Sequence, residues 1–135
     1  MKEPQEIVSK MLEQDFFSQW MKISVDDLGI GRCTVSCEVH KEMLNGFAIL
    51  HGGISYSLSD SALAFAANSY GYKCVSIETS ISHIRPAKIG NRLTAKCSEV
   101  HRGKTIGIYG VEVFNEEGKL ISKFKGTVNI SNEIW

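Results

Sequence analysis

The sequence NGFAILHGGISYSLSD, residues 45–60, places a glycine-containing loop directly before a long apolar segment. Glycine lets backbone N–H groups approach a ligand closely, and the first N–H groups of a helix have no partner inside the helix. The helix dipole favours negative charge at the same end. The tripeptide His51-Gly52-Gly53 is therefore predicted to form a helix start that accepts an oxyanion.

Asp60 is the only charged residue between Gly53 and Tyr70, a segment made mostly of Ala, Ser, Leu, Ile, Phe and Tyr. Such a helix is normally buried on most sides, and Gly71 supplies a plausible end. Asp60 follows Gly53 by about two helical turns, which places both on one face. A buried carboxylate is paired, protonated or functional. A structural aspartate capped by neighbouring serines and a functional carboxylate suited to acyl transfer both fit this pattern.

The amino-acid composition excludes several classes of protein but does not identify the function. The 135 residues predict a single domain, residues 1–135, and contain 15 Lys plus Arg against 15 Asp plus Glu. Because the charges balance, no net electrostatic attraction draws the protein to nucleic acid or membrane, and neither is expected as a partner. No apolar run reaches transmembrane length, and the N-terminal residues do not resemble a signal peptide. The four cysteines match no zinc or redox spacing, so we expect no metal site and a reducing, cytoplasmic location.

Hydrophobic periodicity predicts an α+β protein. Apolar residues at helical spacing indicate an N-terminal amphipathic helix near residues 5–18, before the central helix at 53–70. Alternation and turn signals indicate six strands, at residues 21–30, 32–40, 73–85, 92–101, 105–115 and 120–130. A curved antiparallel sheet wrapped around one buried helix satisfies this order. Because such a sheet leaves open edges, we expect at least a dimer.

The pattern Asn45-Gly46, His51-Gly52-Gly53 and Ser59-Asp60, followed by an Ala-rich helix, resembles the hotdog-fold acyl-CoA thioesterases. Within them it is most similar to the phenylacetic-acid-degradation (PaaI) type. The segment IRPAKIGNRL, residues 84–93, is similar to the Arg-Pro turn and strand restart of that group. The likeness runs over residues 20–130 and implies the hotdog fold. It also implies hydrolysis of an acyl-CoA thioester to a free acid and coenzyme A.

The resemblance assigns roles to four residues. The Gly53 amide matches the group that polarises the thioester carbonyl, and Asp60 matches the acidic residue that activates water or attacks the carbonyl. Asn45 and His51 match residues that shape the active-site loop. Coenzyme A enters as part of the substrate, so no separate cofactor is implied. A homodimer or homotetramer with active sites at the subunit interface is implied as well.

Other residues are candidate contacts to the acyl-CoA. Polar side chains on the strand after the helix match positions that contact the acyl group or pantetheine in related enzymes, although β-propensity and solvent exposure explain them equally. A serine hydroxyl next to Asp60 on the helix is a further candidate. Basic residues beside turns are candidates for the coenzyme A phosphates or are simply solvated. The candidates are Gly52, Ser61, Thr79, Ser82 and Arg85.

Two other function classes share the fold. A hotdog hydratase or dehydratase would pair a catalytic His with an acidic residue on the helix, whereas His51 precedes glycines. A non-catalytic acyl-CoA-binding module would keep the pocket and lack the carboxylate, against which Asp60 argues. Released thiol, a changed double-bond absorbance, or binding without turnover would distinguish the three.

Overall fold

The computed structural model describes residues 1–135 and has the predicted hotdog architecture: one long helix with a curved antiparallel sheet wrapped around it. Two short helices precede the sheet, and a 3-10 turn follows the second strand. The elements are α1 (Pro4–Gln14), α2 (Phe16–Trp20), β1 (Ser24–Gly29), β2 (Arg32–Glu38), a 3-10 helix (Lys41–Met43), α3 (Gly52–Asn68), β3 (Tyr72–His83), β4 (Arg92–Arg102), β5 (Ile106–Phe114) and β6 (Leu120–Ile134).

The six strands follow the order β1-β2-β4-β5-β6-β3, and every neighbouring pair is antiparallel. Strand β3, the first strand after α3, lies at one edge and pairs only with β6. Strand β1 lies at the other edge and pairs only with β2. The sheet therefore offers two open edges, of which β3 is the longer at 12 residues against 6.

Helix α3 packs into the concave face of the sheet because its sequence is small and apolar on most sides. Leu58, Ala62, Phe65 and Ala66 are fully buried in a continuous cluster of 27 buried apolar residues. Gly126 on β6 lets the helix approach closely, since a Cβ there would overlap the Leu63 side chain. The chain reverses after α3 at Gly71, whose φ of +99° belongs to the left-handed region that glycine adopts most readily.

The predicted N-terminal helix is present but ends at Gln14 rather than residue 18, because Asp15 divides this segment into α1 and α2. Asp15 has φ −92° and ψ 75°, and its carboxylate accepts hydrogen bonds from the backbone N–H and the hydroxyl of Ser18. The capping aspartate thus starts a second helix at a point where hydrophobic periodicity alone predicts that the first helix continues. The next strand begins at Ser24 rather than residue 21, and Lys22 before it has φ +54°.

The remaining boundaries differ from the sequence-based expectation by a few residues. β3 ends two residues earlier than predicted, at His83, and β6 extends to Ile134, where its first pairs with β3 are made. The turn after Asn115 occurs as expected, with Gly118 at φ +77°. No helix in the structure is long and apolar enough to cross a membrane.

Candidate functional site

The start of α3 presents one free backbone amide. The N–H of Gly52, the first residue of the helix, has no acceptor in the chain. The N–H of Gly53 donates to Nδ1 of His51 at 2.9 Å, and the N–H of Ile54 donates to the carbonyl of His51 at 3.0 Å. His51 is therefore the N-cap of the helix, and its imidazole accepts the hydrogen bond of the Gly53 amide, the group expected from the sequence to bind the substrate. The free amide is that of Gly52, one residue earlier than expected.

Asn45 closes the loop that leads to this helix. Its Oδ1 accepts hydrogen bonds from the N–H groups of Phe47 at 2.9 Å and Ile49 at 3.4 Å. The loop also contains Ala48 in the left-handed region, with φ +59°. The side-chain oxygen of Asn45 is thus used by the turn, and its Nδ2 group makes no hydrogen bond within the chain. Asn45 therefore stabilises the turn through Oδ1 and keeps Nδ2 free to donate a hydrogen bond to a ligand.

A cavity of about 420 Å³ lies in front of this helix start. It brings together three predicted site residues, Asn45, Gly52 and Arg85, with two that sequence reasoning left unassigned, Ser55 and His83. The sequence offers no signal for His83, which has no metal-binding companion at suitable spacing and meets α3 only through tertiary structure. The full lining is Asn45, Ile49, Leu50, Gly52, Ser55, His83, Ile84, Arg85, Pro86, Ala87 and Ile121.

Asp60 lies outside this cavity. Its carboxylate is half-buried and makes neither a hydrogen bond nor an ion pair within the chain. Burial, and secondly the negative charge of Asp15, raise the pKa of Asp60 above its ordinary value. Eight residues at 1.5 Å each separate it from Gly52 by about 12 Å along the helix axis. An unpaired carboxylate that resists ionisation suits a proton acceptor better than a structural cap.

The other predicted contacts are not brought to the cavity within one chain. The Ser61 hydroxyl lies 2.8 Å from the Ser18 hydroxyl and ties α3 to α2. The Thr79 hydroxyl contacts the hydroxyl of Tyr56. Ser82 is exposed beside Lys123 on the face of the sheet turned away from α3.

Two arginines beside turns, Arg85 and Arg102, differ in their availability to a phosphate group. Arg85 is exposed at the cavity and donates from Nη1 to the carbonyl of Leu120 at 3.1 Å. Arg102 is held inside the fold, where its guanidinium donates to the Tyr109 hydroxyl at 3.0 Å and lies 3.8 Å from the Tyr70 ring centroid. Arg85 is therefore the better placed of the two. The structure contains no group of three or more His, Cys, Asp or Glu side chains able to hold a metal ion.

Comparison with known proteins identifies the family. Residues 47–122, more than half of the chain, match the model of the thioesterase superfamily. The chain is 35% identical over 116 residues to the acyl-coenzyme A thioesterase PaaI of Escherichia coli K12, covering 86% of this chain and 83% of that protein. It is 28% identical over 131 residues to human acyl-coenzyme A thioesterase 13, covering 94% of each.

Solved structures agree with this. The E. coli PaaI protein from the phenylacetic acid degradation operon superposes with a TM-score of 0.94 at 31% identity, covering 97% of this chain and 95% of that one. A hypothetical thioesterase from Streptococcus pneumoniae TIGR4, solved with coenzyme A, gives a TM-score of 0.81 at 26% identity, covering 84% and 88%.

The fold and the relatives named above identify a hotdog-fold thioester hydrolase. The chain belongs to the thioesterase superfamily, and within it to the PaaI type, which confirms the resemblance stated from its motifs.

Proposed function

We propose that this protein hydrolyses acyl-CoA thioesters, with the carbonyl oxygen bound at the start of α3 and water activated by Asp60. The observation that carries the proposal is the unpartnered N–H of Gly52, which lies at a helix N-terminus and lines a cavity. The curated relatives named above are acyl-coenzyme A thioesterases, and a related solved structure contains coenzyme A. These names support acyl-CoA as the substrate class.

Negative charge develops on the thioester oxygen as water adds to the carbonyl carbon. The Gly52 amide and the positive end of the α3 dipole favour that charge, and Asn45, whose Nδ2 group is unpaired, lines the same cavity. The Gly53 amide stays with His51, which keeps the loop in shape rather than touching the substrate. This assignment shifts the polarising amide from Gly53 to Gly52.

Asp60 acts as the general base that takes a proton from the attacking water. Its raised pKa brings it closer to the operating pH, where a base accepts a proton more readily, and no partner in the chain neutralises it. The cavity with Gly52 lacks Asp60, and the two are about 12 Å apart along one helix. A second copy that brings its own Asp60 to this cavity completes the site.

The open edge of β3 supports such a pairing. One side of this 12-residue strand has no neighbour, and it exposes Val75 and Ile77 at 67% and 58%. A long apolar edge of this kind is normally covered, and pairing with β3 of a second copy would cover it. Ile77→Lys should therefore raise the dimer dissociation constant in sedimentation equilibrium. Val100→Lys, on the paired strand β4, is the control, and equal effects of both would contradict the interface.

The decisive experiment measures thiol release with a disulfide dye across short, medium, long and aromatic acyl-CoAs. Asp60→Asn keeps the size of the side chain and removes the base, so turnover should fall by about 10²–10⁴. Asp26→Asn removes an exposed carboxylate elsewhere and should leave turnover unchanged. Near-wild-type activity in Asp60→Asn would overturn the mechanism. Binding of acyl-CoA without any thiol release by the wild-type protein would instead indicate a binding module.

The Gly52 amide can be removed with little disturbance of the helix. Proline is well tolerated at the first helical position, and His51 before it has φ −63° and ψ 133°, which suits a residue preceding proline. Gly52→Pro should lower kcat by about 10²–10³ relative to Gly52→Ala, which adds a Cβ but keeps the N–H. Equal kcat in these two variants would exclude the amide as an oxyanion donor.

A mixing experiment tests the shared site. Gly52→Pro and Asp60→Asn are each expected to be nearly inactive. A heterodimer of the two has one intact site if each site takes its amide and carboxylate from different copies. Random reassembly at equal concentration should then restore about a quarter of wild-type activity. No gain over the separate variants would place both groups of a site in one chain.

A further inference from the structure

His83, the last residue of β3, lies beside the start of α3 and has been given no role so far. Its side chain is exposed and lines the same cavity as Gly52 and Asn45. The Ser55 hydroxyl, one turn into α3, lies 3.5 Å from Nδ1 of the ring. The ring and the free Gly52 amide are therefore neighbours at one cavity.

The distance between the two nitrogens is bounded by the structure. A Cβ built on Gly52 would lie 3.0 Å from both Cε1 and Nε2 of His83. Because a Cβ lies about 2.5 Å from the nitrogen of its own residue, Gly52 N and His83 Nε2 are at most about 5.5 Å apart. Two N–H donors that each reach one oxygen at about 2.9 Å can be separated by up to about 5.8 Å. One oxygen atom can therefore accept hydrogen bonds from both.

The Ser55 hydroxyl beside the ring bears on which ring nitrogen can donate a hydrogen bond. The Ser55 hydroxyl has one hydrogen and two acceptors in reach, the Gly52 carbonyl at 3.1 Å and His83 Nδ1 at 3.5 Å. When the hydroxyl turns to Nδ1, the neutral ring carries its hydrogen on Nε2, toward Gly52.

We propose that His83 is a second donor to the thioester carbonyl oxygen, which accepts one hydrogen bond from Gly52 N–H and one from His83 Nε2–H. This inference rests on the proposed hydrolysis. Water adds to the carbonyl carbon and gives its proton to Asp60 of a second copy, while the π electron pair moves to the oxygen held by the two donors. When that pair returns, the C–S bond breaks, and the thiolate leaves and takes the proton from Asp60. His83 donates throughout and transfers no proton.

The test compares His83→Phe, which keeps a ring and removes the donor, with His83→Gln, whose Nε2 can reach the same position. His83→Phe should lower kcat at least tenfold with KM within twofold, and His83→Gln should recover most of the loss. His101→Phe, an exposed histidine at the far end of β4, is the matched control. A kcat for His83→Phe within twofold of wild type, or a change in KM alone, would overturn the proposal.

A spectroscopic measurement does not depend on turnover. In the Asp60→Asn background, the carbonyl stretch of a bound thioester labelled with ¹³C at its carbonyl should move to higher wavenumber when His83→Phe is added. An unchanged stretch would overturn the role of His83. A wild-type protein that releases no thiol from any acyl-CoA would remove the proposed function itself, whereas an active His83→Phe variant would remove only this inference.

Discussion

The hydroxyl of Tyr109 supports the end of α3 remote from the cavity, and its removal should be costly. Tyr109 is fully buried, accepts a hydrogen bond from Arg102 Nη1 at 3.0 Å and donates to Glu99 Oε1 at 3.0 Å. Arg102 also donates to the carbonyl of Ala67 at 3.2 Å, in the last turn of α3. Tyr70 donates to the other oxygen of Glu99 at 3.1 Å. The network joins the helix end to β4 and β5.

Tyr109→Phe removes two hydrogen bonds to charged groups without creating a cavity. Each such bond contributes about 1.5–3 kcal/mol, so the two together amount to about 3–6 kcal/mol. Because Arg102 and Glu99 keep other partners, this sum overstates the loss, and we expect about 2–4 kcal/mol. With an m-value of about 2 kcal/mol/M in urea, the unfolding midpoint should fall by about 1–2 M.

Urea titration followed by far-ultraviolet circular dichroism measures this loss, at a fixed protein concentration because self-association, where it occurs, changes apparent stability. Tyr70→Phe is the control, since it removes one hydrogen bond from a half-buried side chain and keeps the ring over Arg102. That variant should lose only about 1 kcal/mol. The kcat of folded Tyr109→Phe should equal that of wild type. A change in unfolding free energy below about 0.5 kcal/mol for Tyr109→Phe would refute the reasoning.

Three further predictions follow from burial and close packing. The raised pKa of Asp60 means that the folded state binds its proton more tightly than the unfolded state, so ionisation as the pH rises lowers stability. Asp60→Asn should therefore have a higher Tm than wild type at pH 7, by roughly 3 °C for each kcal/mol regained, and the difference in calorimetry should shrink as the pH falls through the pKa. Gly126→Ala should lower the unfolding free energy by about 1–3 kcal/mol, because its Cβ overlaps Leu63. The loss caused by Gly126→Ala should be smaller when Leu63 is already replaced by Ala. Strict additivity of the two losses in a double-mutant cycle would contradict the contact. Burial raises the pKa of Cys33 to about 12 and that of Cys37 to about 11, so a thiol-specific dye at pH 8 should label neither in the folded protein and both in urea, as mass spectrometry can check.

Much of the fold can be predicted from the sequence because the hydrophobic pattern of each segment matches the face that tertiary packing buries. The alternation in β2 and the apolar run of α3 both describe faces that the structure buries. The predicted extent of the N-terminal helix is wrong beyond Asp15, because the side chain of Asp15 caps a new helix where hydrophobic periodicity predicts that the first one continues. The candidate site was predictable as a helix start with a carboxylate two turns on, since both features belong to one segment of the chain.

Which groups meet in space was decided by tertiary structure alone. The imidazole of His51 turns onto the Gly53 amide and leaves that of Gly52 free, a choice between neighbouring N–H groups that sequence spacing does not make. Curvature of the sheet brings His83 from the end of β3 against Gly52, 31 residues away in the chain, and turns Ser82 to the opposite face. The sequence by itself determined the class of fold, the helix start and the lone carboxylate, because these depend on composition and periodicity. The cavity, its donors and the separation of Asp60 from them depend on how distant segments pack.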